Sequence, residues 1–259
     1  MYEKPTAPLS IGGVLDDGFK LLRASFMAVL LFAILGSVFN QLPSLPIDET
    51  TAPASVVIGF ALIALLLFLI GWPWANGALI ERMDAIASQR ESSLGQASRV
   101  GVRRLLPMLG CYILYILAVM GGSILLLIPG IILGVSLILG PYLVIVENLG
   151  PVEALRRSHK LVWGDWWRTA IIFTVIVFVL LSLYVLIGLA GVFAGYNAAA
   201  SGEEVLPLST IVAAIAVTII VSAFVIPVLS AFSLSILNDL KLRKEGSDLS
   251  ERLDALNES

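Results

Sequence analysis

Charged residues in this chain fall in short clusters separated by five long uncharged runs, and that spacing limits the folds open to it. The runs are Ala24–Ile47, Thr50–Ile80, Leu105–Val146, Thr169–Gly202 and Val205–Asn238. A helix of about 18 or more such residues can cross the hydrocarbon core of a bilayer. The third run, at 42 residues, is too long for one helix and suits two, so five runs make six spans. Composition agrees: 58% of the 259 residues are hydrophobic and 14% charged, against roughly 45–50% and about 25% in soluble domains. The expectation is an all-α integral membrane protein of three hairpins. Its spans fall at about 24–42, 55–80, 105–127, 131–147, 168–194 and 209–237, in a membrane domain over 1–238 followed by a tail over 239–259.

Lys and Arg set topology when counted over short loops. Lys4, Lys20 and Arg23 precede span 1, and Arg82, Arg90, Arg99, Arg103 and Arg104 lie between spans 2 and 3. Arg156, Arg157, Lys160 and Arg168 separate spans 4 and 5, and Lys241, Arg243, Lys244 and Arg252 follow span 6. With six spans all 16 cations share one side, and the opposite loops carry only Asp48, Glu49, Glu203 and Glu204. Both termini are therefore expected in the cytoplasm. The N-terminal residues lack the basic and short apolar regions of a signal peptide, so span 1 is expected to remain as an anchor. Spans 3 and 4 are joined only by Ile128-Pro129-Gly130, a candidate tight turn. The alternative is a re-entrant pair turning back inside the bilayer, whose freed backbone would need protein partners.

Each hairpin is preceded by a segment with amphipathic helical spacing, suited to the headgroup plane. In the first, Ile11, Val14, Leu15, Phe19 and Leu22 form the apolar stripe, after Ser10 as N-cap. The second is Leu94–Arg104. In the third, Pro151–Trp163, residues Glu153, Arg156, Arg157 and Lys160 face away from Val152, Leu155, Val162 and Trp163. The second span of each pair carries a proline near its charged end: Pro73, Pro141 and Pro227. A helix-interior proline removes a hydrogen bond and kinks the helix, so three repeats of helix, span and kinked span are expected.

One stretch is dense in distinctive residues: Ile128-Pro129-Gly130, Pro141, Glu147-Asn148-Leu149-Gly150-Pro151, Glu153-Ala154-Leu155-Arg156-Arg157-Ser158, Gly164 and Trp166-Trp167-Arg168. It resembles the signature of the YciC-like inner-membrane proteins. It is also similar to the membrane domain fused to some bacterial glycerophosphodiester phosphodiesterases. The resemblance implies a polytopic bacterial inner-membrane fold and carries no settled activity. A phosphodiesterase would need a soluble barrel with metal-binding carboxylates and several catalytic histidines, whereas the chain has one histidine, His159.

Glu147 could pair with Arg156 or Arg157 and fix the Pro151 helix, or bind a substrate. Arg156, Arg157 and Lys160 either read phosphate headgroups, since guanidinium donates bidentately to phosphate, or serve topology alone. Trp163, Trp166 and Trp167 are expected as an interfacial aromatic belt, with Trp72 and Trp74 as further candidates. His159 reads as a packed interfacial residue, the lone Cys111 as a core residue, and Asn76 as an interhelical hydrogen bonder. Gly121, Gly122 and the glycines of spans 4 and 5 would allow close packing. No charged residue lies deep in a span, which argues against a proton-driven carrier. No cofactor, catalytic group or metal site is expected, since one His and one Cys cannot build a zinc centre. The net charge of −3 gives no field for nucleic acid.

These readings converge on a non-enzymatic protein of lipid or envelope homeostasis, its basic helices engaging membrane lipids, anionic phospholipid above all. Two alternatives stay open. One is a transporter, channel or scramblase with a polar cleft between kinked helices. The other is a scaffold recruiting a protein partner through 241–259, where Leu249, Leu253 and Leu256 line a short helix and Asp248 and Glu251 resemble a capping box.

Overall fold

The computed structural model describes residues 2–45, 52–200 and 208–257, leaving aside the side chains of 194, 195, 197–200, 208, 209 and 247–257. Asp48, Glu49, Glu203 and Glu204 lie outside the described residues, as do the side chains of Asp248, Leu249, Glu251, Leu253 and Leu256. Among the described residues every regular element is helical. They are α1 (Ile11–Gln41), continued by a 3-10 turn at Leu42–Ser44, α2 (Ala54–Ala87), α3 (Leu94–Arg103), α4 (Leu105–Leu125), α5 (Leu127–Leu137), α6 (Gly140–Val146), α7 (Pro151–Val162), α8 (Trp166–Ala200) and α9 (Leu208–Asn257). Among the described residues six segments are long and apolar enough to cross a membrane: Ile11–Ser44, Ala54–Ala87, Leu105–Leu125, Leu127–Val146, Trp166–Phe193 and Thr210–Gly246.

The first amphipathic segment and the first span are one helix. Ser10 caps it, accepting the Gly13 N–H at 3.0 Å, and nothing before Gln41 breaks it. Its buried face is rotated from the expected stripe: Asp17 and Gly18 are buried while Phe19 is 61% exposed. The reason is steric and polar together. A Cβ on Gly18 would lie 2.4 Å from the Phe232 ring, so only glycine lets α9 approach here, and the same face gives Asp17 partners described below. Helices α3 and α7 are separate, each started by local capping. Ser93 and Gln96 exchange hydrogen bonds at 3.2 and 2.7 Å, a capping box, and Pro151 opens α7 where a missing N–H costs nothing.

The middle hairpin turns elsewhere than expected. A single extended residue, Leu126, separates α4 from α5. Pro129 sits in the first turn of α5, and Gly130 allows close approach: a Cβ there would lie 2.9 Å from the Ser123 backbone. Pro141 does not kink a continuous helix either. It lies in the first turn of α6, after a break from Leu137 to Gly140, whereas Pro73 and Pro227 lie inside unbroken helices. Helix α9 runs without interruption through Asp248, so no new helix starts there for a capping box to serve. Of the glycines expected to pack, Gly122 meets Gly130 and Gly140 meets Leu155 and Cys111, but Gly121, Gly188 and Gly191 have nothing within 4 Å.

Helix α1 packs along both α2 and α9. The core gathers toward the cation-bearing ends, where Leu79, Met83, Met108, Leu143, Leu161 and Leu237 are buried to 1% exposure or less. The opposite ends of α2, α8 and α9 present exposed Leu, Ile, Val and Phe, the surface expected of helices that face lipid.

Candidate functional site: a charged face built on buried carboxylates

Four carboxylates, with Glu81 and Glu245 assisting two of them, hold the charged end together. Asp239 is 3% exposed and gathers three elements. It accepts the Leu9 N–H at 2.7 Å, Arg168 at 3.0 Å and the Arg243 Nε at 2.9 Å. Both guanidinium groups also donate to the Leu9 carbonyl, Arg168 at 2.6 Å. The peptide before α1 is thus read at both its polar atoms by α8 and α9. Asp17, 6% exposed, accepts the Tyr2 hydroxyl at 3.1 Å and the Ser235 hydroxyl, which also lies 3.2 Å from the Val14 carbonyl. Burial, and then the Asp17 charge beside it, push the Tyr2 phenol well above its ordinary value. Asp84, 6% exposed, takes Arg90 at 2.7 Å, and Glu81 takes it at 3.2 Å.

The fourth, Glu147, caps α6 and bridges two helices: Lys241 of α9 lies 2.6 Å away and Arg157 of α7 3.5 Å away. Arg157 also meets Glu245, and Lys244 donates to the Trp163 carbonyl at 2.7 Å. One helical turn of α9, Lys241 to Glu245, therefore ties the end of α6 through Glu147, the middle of α7 through Arg157 and the end of α7 at Trp163. Arg156 and Lys160 take no part. They are exposed, and among the described residues they make no ion pair or hydrogen bond, nor do Lys4, Arg23, Arg99 and Arg103.

Arg103 and Arg104 join Val100 and Asn148 around a surface cavity of about 380 Å³. Arg104 contacts the Asn148 side-chain oxygen, and Asn148 has φ +57°, a left-handed conformation that Asn tolerates better than most residues. Val102 and Leu106, which flank the Arg103–Arg104 step in the chain, are 60% and 77% exposed. The sequence reading passed over this cluster, although Arg103-Arg104 is a visible dibasic step.

The tryptophans divide. Trp163 and Trp167 are 57% and 76% exposed, with the half-buried His159 ring 5.0 Å from Trp163. Trp166 turns inward and donates to the Ile132 carbonyl at 3.2 Å. Trp74 donates to the Ser98 carbonyl at 3.2 Å, and Trp72 packs on Tyr112. Both serve the core. Asn76 bonds back to Trp72 of its own helix at 2.9 Å, where an interhelical bond was expected, and Cys111 is buried. Asn76 lines a second cavity, about 220 Å³, between Tyr112, Tyr142, Pro141, Phe173, Ser230 and Ser233. It sits among the three proline regions.

The chain is an all-helical, multi-pass membrane protein. A family model described as "Domain of unknown function (DUF7847)" matches residues 115–238, from α4 to the residue before Asp239. The chain is also 24% identical over 193 residues to a UPF0259 membrane protein of Pectobacterium carotovorum subsp. carotovorum (strain PC1), covering 63% of this chain and 77% of that one. No solved structure matches it. These likenesses agree with an uncharacterised membrane-protein family. They contain nothing that links the chain to glycerophosphodiester phosphodiesterases.

Proposed function

We propose that this is a non-enzymatic protein of the bacterial inner membrane, both termini cytoplasmic, that engages anionic phospholipid headgroups in lipid or envelope homeostasis. One observation carries the reading. Asp17, Asp84 and Asp239 are buried, while Arg23, Arg99, Arg103, Arg156 and Lys160 point outward without partners among the described residues. Glu3, Asp16, Glu91 and Glu153 are exposed as well, so a chain of net charge −3 presents these unpaired cations among acids and beside apolar surface. Each Lys or Arg near an anionic leaflet contributes about 1 kcal/mol of attraction. Arg157 is committed to Glu147 and Glu245, so the headgroup role passes to Arg156, Lys160 and the Arg103–Arg104–Asn148 cavity.

The test is the phospholipid retained by the purified protein, read by native mass spectrometry against a mixture of phosphatidylglycerol and phosphatidylethanolamine. Phosphatidylglycerol enrichment should fall in the Arg99→Ala/Arg103→Ala/Arg156→Ala/Lys160→Ala variant. An unchanged ratio removes the headgroup reading. A second reading, passage of a small molecule between the helices, is favoured by the Asn76–Tyr142–Ser230 cavity. It predicts that Ser230→Trp abolishes flux in proteoliposomes, and it fails if no solute or lipid flux exceeds that of empty vesicles.

A further inference from the structure

The middle apolar pair, α4 with α5–α6, returns to the side from which it starts. Residues 127–146 would measure about 30 Å as one straight helix, enough to cross the hydrocarbon core. A crossing helix must place its two ends that far apart along the membrane normal. Its C-terminal end and an interior residue, Ile132, are tied instead to one charged layer. At the C-terminal end Glu147 meets Lys241. Toward the N-terminal end the Ile132 carbonyl accepts the Trp166 indole at 3.2 Å, two residues before Arg168, which binds Asp239. Between them the Ser136 carbonyl accepts Ser158 at 2.8 Å, the neighbour of Arg157. From Ile132 back to the turn at Leu126 is only six residues, about 9 Å of helix. The turn also shares a groove with the layer: Ile128 and Trp163 both line a space of about 690 Å³, and the Trp163 carbonyl holds Lys244.

The chain reverses at the extended Leu126, and the break between Leu137 and Gly140 interrupts the returning arm. Carbonyls ahead of it find side-chain donors from three helices: Trp166 on Ile132, Tyr115 on Gly134 and Ser158 on Ser136. Broken backbone inside a bilayer is tolerated where protein satisfies it in this way. The tip cannot rest in water, because Ile124, Leu125, Leu126, Leu127 and Ile128 are consecutive, apolar and 69–81% exposed.

We infer that residues 105–146 form a re-entrant hairpin, entering and leaving on the cation-bearing side, with its tip seated in the acyl chains of that same leaflet. Helices α1, α2, α8 and α9 make the full crossings. An even number of passes is removed, so the common side of the cations is unaffected, and the inference stands independently of headgroup recognition.

Single cysteines at Leu126, Ser44 and Gln89 carry the fluorophore NBD in oriented proteoliposomes, with the fully buried Cys111 left in place. Membrane-impermeant dithionite should reduce the label at 126 from the side that reduces 89, and leave it intact from the side that reduces 44. Reduction of 126 together with 44 overturns the inference. If 126 is protected from both sides, spin labels at 126 and 163 decide. A separation well under the roughly 30 Å of the hydrocarbon core supports the hairpin, and one at or beyond it excludes the hairpin.

Discussion

Helix α2 is apolar in both halves and packs in only one. Between Ala54 and Ile70 only Ala64 is buried, while between Gly71 and Ala87 no residue is exposed. Hydropathy cannot separate the halves, because hydrocarbon is as apolar as leucine and gives a helix no reason to leave it for another helix. Side-chain size and polar ties do. The outer half is mostly Leu, Ile, Val and Phe, whereas the inner half has Gly71, Ala75, Gly77 and Ala78, and polar groups with partners, such as Trp74 on Ser98 and Asp84 on Arg90. Small residues admit close backbones, and satisfied polar atoms hold them. The inner half is where protein meets protein, so damage there should be costly and equal damage in the outer half should not.

The largest effect is expected at Asp239. Asp239→Ala leaves Arg168 and Arg243 without their shared carboxylate and the Leu9 N–H without an acceptor. Breaking one side of a buried ionic cluster costs about 3–5 kcal/mol. Unfolding in detergent, followed by tryptophan fluorescence, should show a loss of that size. A variant within about 0.5 kcal/mol of the parent, the range of an ordinary surface change, would mean that the cluster does not hold the inner half together.

Gly101→Ala comes next. A Cβ there would lie 2.5 Å from the Trp74 carbonyl, a backbone atom that cannot swing away. Overpacking of this kind costs about 1–3 kcal/mol, read in the same unfolding assay. A neutral outcome would show α3 free to drift from α2.

A smaller, pH-dependent effect belongs to Tyr2. Its folded pKa is raised above the unfolded value near 10, so the folded state favours the protonated phenol. The stability it contributes is fully present below about pH 10 and is lost as pH rises through the folded value. Tyr2→Phe should remove that alkaline dependence while losing the bond to Asp17. Hydrogen exchange at the start of α1 is the readout, and identical pH profiles in parent and variant would sink this account.

Local chemistry was legible in the sequence, and distant meetings were not. Charge spacing marks the long apolar helices, and ten residues from Glu147 to Arg157 is near enough to foresee as a pair. Asp17 reads as the polar side of a stripe because its partner Ser235 lies 218 residues away. Leu9 and Asp239 are 230 apart. Only the tertiary fold turns these acids inward and leaves the cations out. The turn misread at Ile128–Gly130 has a similar cause: proline and glycine also serve a helix's first turn and a close crossing, and Leu126 bears no turn signature.

The smallest effects sharpen the comparison most. Leu66→Ala removes a side chain that is 57% exposed, and Gly188→Ala adds a methyl where nothing lies within 4 Å. If lipid covers these positions, Leu66→Ala should change stability by no more than about 0.5 kcal/mol, and Gly188→Ala should gain about 0.5–1 kcal/mol from helix propensity. A second copy of the chain covering the outer half gives a different result: Leu66→Ala would then cost about 2–5 kcal/mol, as a buried leucine does, and the cost would depend on protein concentration in detergent. Measuring Leu66→Ala at two protein concentrations therefore distinguishes a lipid-covered half of α2 from a protein-covered one.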